Sequence, residues 1–477
     1  MKKTIKDILY NAVYQLFLII LPLLTTPILS RRIGADGLGV YGYVFSMAQF
    51  LMTVIAIGMN PFRIRNIAKV RKNKHELSLQ FWNIYLMQLL IGIVAIALYI
   101  GAVILLKLDY TNLYLIQIVF IAGLTLDISW FFQGIEEFSK VVIRNTLIKL
   151  SSVILIVLFV WTRQDLWIYV LITSLANFIG SLVFWISIKN KVESPRLDKT
   201  LFKSLWRPGL MILIPQLFMQ VYTTLDKTVV GYFVSPTQLS YYDQSQKIAR
   251  IILALLTSIT IVMLPKLTGA LADGDDEGVV RYTKKSFDYT LIISVVLFTI
   301  VFVNTKNFVP WFFGEEFKPM ISNMLIVGSL IIVSPIGGIF SNQFSIAIEK
   351  DKAFAYPLII GAIISVVGNI LIVPYFSSLG GTIVLVVVET LVCFLKIYFV
   401  KDELNLKIIF SKNVLFFVLL GVVINLLAFF IPTLFASAFI DMAFKSIILM
   451  IIFIPITFFT FPEIKSELLS NFGKIRR

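Results

Sequence analysis

About seven basic side chains of this sequence lie inside long apolar runs, Arg144, Lys149, Lys227, Lys247, Arg250, Lys396 and Lys445; the acidic ones there are fewer, chiefly Asp226 and Glu389, with Asp127, Asp243, Asp288 and Asp441 nearer the ends. A charge at bilayer depth is costly unless it faces a polar cavity or an opposite charge, so these residues carry most of the chemical information. Their balance is cationic. A lysine or arginine in a low-dielectric cleft attracts phosphate far more strongly than it does in water. A lone carboxylate in such a place is instead a site for a proton or a sodium ion. One cysteine (Cys393) and one histidine (His75) cannot form a metal cluster. No Asp-x-Asp motif and no nucleotide-binding glycine-rich loop stands in a suitable context. No catalytic residue, metal or cofactor is therefore expected, and any energy source is a proton or sodium gradient.

Each charge also has a local alternative. Lys149 lies about eight residues inside the run 141–161, or ~12 Å deep at 1.5 Å per residue, which calls for a cavity or an acidic partner. Arg144 is about one turn inside the same run; it either binds phosphate at the mouth or snorkels. Lys247 and Arg250 share a helix face at i and i+3. Lys247 has two possible partners, Asp226 on the preceding run and Asp243 at i−4, while Arg250 has no obvious local one and is the better anion ligand. Lys227 adjoins Asp226. Glu389, mid-run, and Asp226 are the ion-coupling candidates; Glu389 otherwise pairs with Lys396 seven residues on. Arg31 and Arg32 line an outer mouth or simply face Asp36. Arg63 and Arg65, after Asn60-Pro61, read mainly as topological charges, and Lys445 as a local pair with Asp441.

The elements that position these residues follow from composition. Of 477 residues, 58% are hydrophobic and only 14% charged, with a mean hydropathy of +0.91. Soluble chains carry roughly 25% charge, and no segment here has the composition of a soluble domain. Runs long enough to cross a bilayer fall at 8–30, 37–60, 79–106, 112–133, 141–161, 166–188, 209–234, 240–265, 286–305, 321–347, 354–374, 379–400, 411–432 and 438–461. The predicted fold is an all-α integral membrane protein of about 14 transmembrane helices. With both termini in the cytoplasm, roughly 29 lysines and arginines lie in inside segments against 6 outside, the bias expected of a correct topology. That bias accounts for most of the net charge of +15, so nucleic acid is not needed as a partner.

An internal repeat is visible at two offsets. Ala35 and Tyr41 fall on Ser235 and Tyr241, and Gly134-Ile135-Glu136 falls on Ala347-Ile348-Glu349. The repeat divides the chain into a lobe of six spans at 1–190, a second at 191–403, and two further spans with a basic tail at 404–477.

The opening Pro27-Ile28-Leu29-Ser30-Arg31-Arg32-Ile33-Gly34, followed by Gly37-Leu38-Gly39-Val40-Tyr41, resembles the first hairpin of polysaccharide-repeat-unit flippases. The run Asp127-Ile128-Ser129-Trp130-Phe131-Phe132-Gln133-Gly134-Ile135-Glu136 resembles that family's fourth-span signature, and Pro215, Asp226, Lys227 and Tyr241-Tyr242 echo it in the second half. The family is the Wzx type of the multidrug/oligosaccharidyl-lipid/polysaccharide exporter superfamily. The resemblance implies a bacterial cytoplasmic-membrane transporter that moves an undecaprenyl-pyrophosphate-linked oligosaccharide outward by alternating access. The cargo would be a capsule, O-antigen-like or teichoic-acid precursor. It implies the lipid-linked oligosaccharide, membrane lipids, and the polymerase and glycosyltransferases of the same pathway as partners. Asp127, Trp130, Gln133 and Glu136 then read as gate or lobe-packing residues. An ion-coupled drug exporter of the same superfamily would favour acidic rather than basic lumen residues. A membrane glycan polymerase would need acid/base groups, and the longest outside loop offers only Glu315 and Glu316.

Overall fold

A computed structural model describes residue 17, residues 20–220, 224, 226–464 and 466. Most of residues 8–19 in the first expected span, Lys2, Lys3 and Lys6, and the tail residues Lys465, Lys474, Arg476 and Arg477 lie outside the described residues. The chain is an all-helical integral membrane protein, and eleven of its described helical stretches are long and apolar enough to span a bilayer. One of these contains α15, Asp351–Tyr398, which turns at Ser377 (φ 53°, ψ −139°) and covers two of the expected spans. Expected spans one and seven overlap residues that are not described. Helical segments suit this setting because their backbone groups are satisfied internally.

The chain forms two compact units, Met1–Ser240 and Tyr241–Arg477. The first contains α1 (20–32), α2 (Gly34–Met52), α3 (Asn60–Val70), α4 (Lys74–Leu105), α5 (Thr111–Leu126), α6 (Ser129–Gly134), α7 (Phe138–Phe159), α8 (Leu166–Ile188), α9 (Lys199–Gln220) and α10 (Asp226–Phe233). The helix α11 (Pro236–Ala272) begins in its last residues. Polar residues set several starts. Asn73 accepts the His75 and Glu76 amides at the head of α4, and Asp198 accepts those of Thr200 and Leu201 at α9; each satisfies N–H groups that a helix start leaves unpaired.

Small residues let these helices approach where lipid supplies no hydrophobic drive. A Cβ on Gly123 of α5 would lie 2.8 Å from the Phe178 Cα of α8. A Cβ on Gly39 of α2 would overlap the Pro236 carbonyl at the start of α11. Towards the end bearing the basic loops, Phe81, Trp130, Phe131, Phe132 and Phe184 form a buried aromatic core, with Phe81 stacked on Trp130 at 5.6 Å.

The second unit continues through α12 (Asp276–Phe313), α13 (Met320–Val327), α14 (Leu330–Gly338), α15, α16 (Leu406–Ile409), α17 (Lys412–Phe429) and α18 (Ala438–Thr460). Its core gathers Phe287, Leu291, Phe340, Phe344, Phe417 and Phe453 from α12, α17, α18 and a π-helical stretch, Ile339–Ser345.

Two expected spans are interrupted. The fourth, expected as one run over 112–133, breaks at Asp127–Ile128 between α5 and α6. The tenth, expected over 321–347, is divided into α13, α14 and the π-helical stretch. Apolar composition alone carries no mark of these breaks; at the fourth span the exposed carbonyls are satisfied by Gln88, a side chain of another helix.

Candidate functional site

The midpoint of α7 carries Lys149. Asn145, Lys149 and Ser152 follow one another at i, i+4 and i+7, with Thr146 beside them, and form a polar stripe along the helix. The opposite side bears Ile143, Leu147, Leu150, Ile154 and Leu158, all exposed and apolar as a lipid-facing surface would be. Lys149 is itself exposed and, among the described residues, has no hydrogen bond or ion pair. Of the two environments expected for it, a cavity or an acidic partner, the acidic partner is not found among the described residues.

Arg144, one turn earlier, turns the other way. Its Nε donates to the Gly180 carbonyl at 2.8 Å, its Nη1 to Asn145 Oδ1 at 2.6 Å, and its guanidinium lies 4.7 Å from the Phe184 ring centroid. It clamps α7 to α8. Arg32 is likewise engaged: Nη1 donates to the Val157 and Val160 carbonyls at 2.7 and 2.8 Å, under the Trp161 ring. A cation there caps the end of α7, where unpaired carbonyls and the helix dipole favour positive charge. Arg31 is exposed and donates to the Pro27 carbonyl at 3.0 Å.

The fourth-span signature forms the hinge where α5 breaks. Asp127 Oδ2 accepts from Ser129 Oγ at 2.7 Å and starts α6. Gln88 of α4 donates from Nε2 to the Leu124, Thr125 and Asp127 carbonyls at 3.1, 3.0 and 2.8 Å, and its Oε1 accepts from Trp130 Nε1 at 2.9 Å. One amide thus satisfies the carbonyls freed by the break and fixes the signature tryptophan. Gln133 is half-buried, and Glu136, in the left-handed conformation, pairs with Arg71 of the loop after α3.

Arg63 departs from its topological reading. It is fully buried, and its Nη2 and Nη1 donate to the Ile55 and Ala56 carbonyls at 2.6 and 3.1 Å. Those carbonyls lie in the π-helical stretch Thr53–Ile57 ahead of Asn60-Pro61. Asp127 acts on Arg63 electrostatically. Proline frees backbone carbonyls, and the guanidinium fork is shaped to take two of them. Gln88 is not among the site residues expected from the sequence; an amide in the middle of an apolar run was the available signal.

In the second unit, Lys247 pairs with Asp243 at 2.7 Å, Asp243 being buried and Lys247 43% exposed. This is the i−4 partner of the two expected. Arg250, expected to lack a local partner, donates to Gln246 Oε1 at 3.3 Å, its helix position leaving it exposed. Glu389 is half-buried on α15 and acts electrostatically on Lys396. In the first unit, Asp226 is buried at the start of α10, where its Oδ1 accepts the Lys227 amide at 2.7 Å. Lys445 and Asp441 form a buried pair at 2.9 Å, and Asn307 also donates to Asp441 at 2.7 Å.

Outside the membrane segments, Glu137 joins α6 to α7 and accepts from Lys191 at 2.5 Å and pairs with Lys140 at 3.0 Å. Burial works against its charge, but these two lysines prevail and hold its carboxyl below the usual range.

Eleven membrane-spanning helical stretches, interrupted helices and buried cationic side chains among the described residues define a polytopic membrane protein. The comparisons with known proteins agree. Residues 4–270 match the family described as polysaccharide biosynthesis protein, and residues 212–371 match the MatE family. The chain is 23% identical over 404 residues to the "Putative O-antigen transporter" of Escherichia coli (strain K12), a match covering 83% of this chain and 97% of that one. Among solved structures it is similar to lipid II flippase MurJ in an inward closed conformation, with TM-score 0.73 and 15% identity over 94% of this chain and 99% of that one. It also resembles an inward-facing multidrug resistance MATE family transporter, with TM-score 0.59 and 14% identity over 81% of this chain and 98% of that one. The chain belongs to the polysaccharide biosynthesis protein family.

Proposed function

We propose that this protein moves an undecaprenyl-pyrophosphate-linked oligosaccharide, a capsule, O-antigen-like or teichoic-acid precursor, across the bacterial cytoplasmic membrane by alternating access. The observation that carries the reading is Lys149: a cation at the midpoint of a membrane-spanning helix, on a polar stripe, with no acidic partner among the described residues. Such a group is stabilised by an anionic visitor, and a pyrophosphate supplies charge and acceptor oxygens together. The amide and hydroxyls of Asn145, Thr146 and Ser152 provide neutral hydrogen-bonding groups beside it. Arg250, on exposed helix surface, is a second anion ligand, with Lys247 and Lys227 nearby in sequence. Glu389 and Asp226 are the carboxylates through which a proton or sodium gradient would couple. A drug exporter selecting cations would be poorly served by Lys149.

The test is outward movement of a pyrophosphate-bearing lipid-linked oligosaccharide in proteoliposomes, comparing wild type with Lys149→Ala and Arg250→Ala. Wild-type transport with a loss of at least about tenfold in Lys149→Ala is expected, the scale of one charge-assisted contact. Normal transport by both folded variants would remove the cationic residues from the mechanism. Export of a small cation instead of the lipid would favour the drug-exporter reading.

A further inference from the structure

A recess of about 600 Å³ opens where α5 and α8 begin, at the ends of these helices away from the basic loops. Tyr110, Thr111, Asn112, Leu113, Ile116 and Trp167 line it. Its volume lies within the roughly 300–1,000 Å³ of small-molecule sites. Leu113 is buried and Ile116 half-buried, giving an apolar floor. Tyr110 and Trp167 are exposed by 43% and 51% and present large ring surfaces. Among the described residues, the side chains of Tyr110, Asn112 and Trp167 make no hydrogen bond, while Thr111 Oγ1 donates to the Leu108 carbonyl at 2.7 Å and keeps its acceptor lone pairs. The recess thus offers aromatic faces, an apolar floor and a set of unspent neutral donors and acceptors.

We infer that this recess is a carbohydrate-binding site that receives one or two sugar rings of the cargo glycan on the outward side of the membrane. The inference rests on the oligosaccharide reading above. The ring hydrogens of a pyranose carry partial positive charge and match the negative face of an indole or phenol. Its hydroxyls both donate and accept, which suits the Asn112 amide and the Thr111 and Tyr110 hydroxyls. A phospholipid head group fits less well. The carboxylates of Asp36 and Asp109 act electrostatically on the Tyr110 hydroxyl, and a phosphate placed there would meet like charge. Lys107 and Arg163 stand on the adjoining loops but do not line the recess.

The experiment uses the full chain in nanodiscs and the glycan released by mild acid from the host's own lipid-linked oligosaccharide, labelled at its reducing end. Binding of this free glycan is measured for wild type, Trp167→Ala, Trp167→Phe and Asn112→Ala, with flipping of the parent lipid followed in parallel. The expected result is a dissociation constant raised about tenfold or more in Trp167→Ala, the scale of losing one stacking platform. It should stay within about threefold in Trp167→Phe and rise measurably in Asn112→Ala. Equal binding by wild type and Trp167→Ala, or no binding by folded wild type, overturns the site whatever the flipping assay shows. That result would leave Trp167 as a membrane-interface anchor. Glycan binding that depends on Trp167 in a protein that flips no lipid-linked oligosaccharide would keep the site and overturn the transport reading.

Discussion

Glu136 and Glu349 hold the same left-handed backbone conformation, with φ of 61° and 56°. The turns around them are hydrogen-bonded alike: Ile135, Glu136 and Glu137 donate to the Phe131, Gln133 and Phe132 carbonyls, as Ile348, Glu349 and Lys350 do to those of Phe344, Ile346 and Ser345. This is the helix-ending arrangement in which a left-handed residue lets the last carbonyls be satisfied. The correspondence reaches the side chains. Trp130 bonds to Gln88 of α4, and its counterpart Gln343 accepts from Ser286 of α12 at 2.7 Å. Each unit therefore ties the same point of its interrupted helix to a neighbouring long helix.

A left-handed position penalises β-branched side chains and favours glycine. Glu349→Val should lower the thermal unfolding midpoint in detergent, while Glu349→Gly should leave it unchanged or raise it. Glu136→Gly should do less well than Glu349→Gly because it also removes the pair with Arg71. Equal effects of valine and glycine at 349 would argue against the turn.

Arg63 supports two backbone carbonyls from a fully buried position. Its replacement by leucine should cost about 1–3 kcal/mol for each carbonyl left without its donor, read as loss of folded protein on size exclusion. Arg63→Lys should recover only part of this, since one ammonium cannot reproduce the two-pronged donor.

Lys149 and Arg144 lie five residues apart but should behave differently. Lys149→Ala should reduce transport with little change in thermal stability, because no partner among the described residues is lost. Arg144→Ala should lower stability by about 1–3 kcal/mol, leaving the Gly180 carbonyl without its charged donor. Thermal unfolding of both variants beside their flipping rates separates the two roles.

The carboxyl of Glu137 lies below its ordinary value of 4.5. A depressed carboxylate stabilises the fold fully above that ordinary value and loses its contribution as pH falls through the lower folded one. Glu137→Gln should therefore lower the unfolding midpoint at pH 7, and the gap to wild type should close as the pH is taken below about 4. Added salt should also narrow it, since the pair is partly exposed. A gap independent of pH and salt would assign the loss to packing.

The sequence by itself determined the class of protein and the elements of its fold. Apolar run length and the asymmetry of lysine and arginine are local properties, and they suffice to mark helices that must cross a bilayer. The Glu136–Glu349 correspondence was visible for the same reason, as a repeated stretch of chain. The local pair of Lys445 with Asp441 also followed from i,i+4 spacing alone. Tertiary structure decided which charges are occupied. Arg32 caps a helix end at Val157 and Val160, Gln88 spans a break in α5, and Arg63 is buried against π-helical carbonyls. Lys149 instead has no hydrogen-bond or ion-pair partner among the described residues. These assignments depend on the depth and rotation of one helix against another, and on where a helix breaks. A run of apolar residues is equally compatible with many such arrangements, because only the packed neighbours supply the hydrogen bonds that make one of them stable.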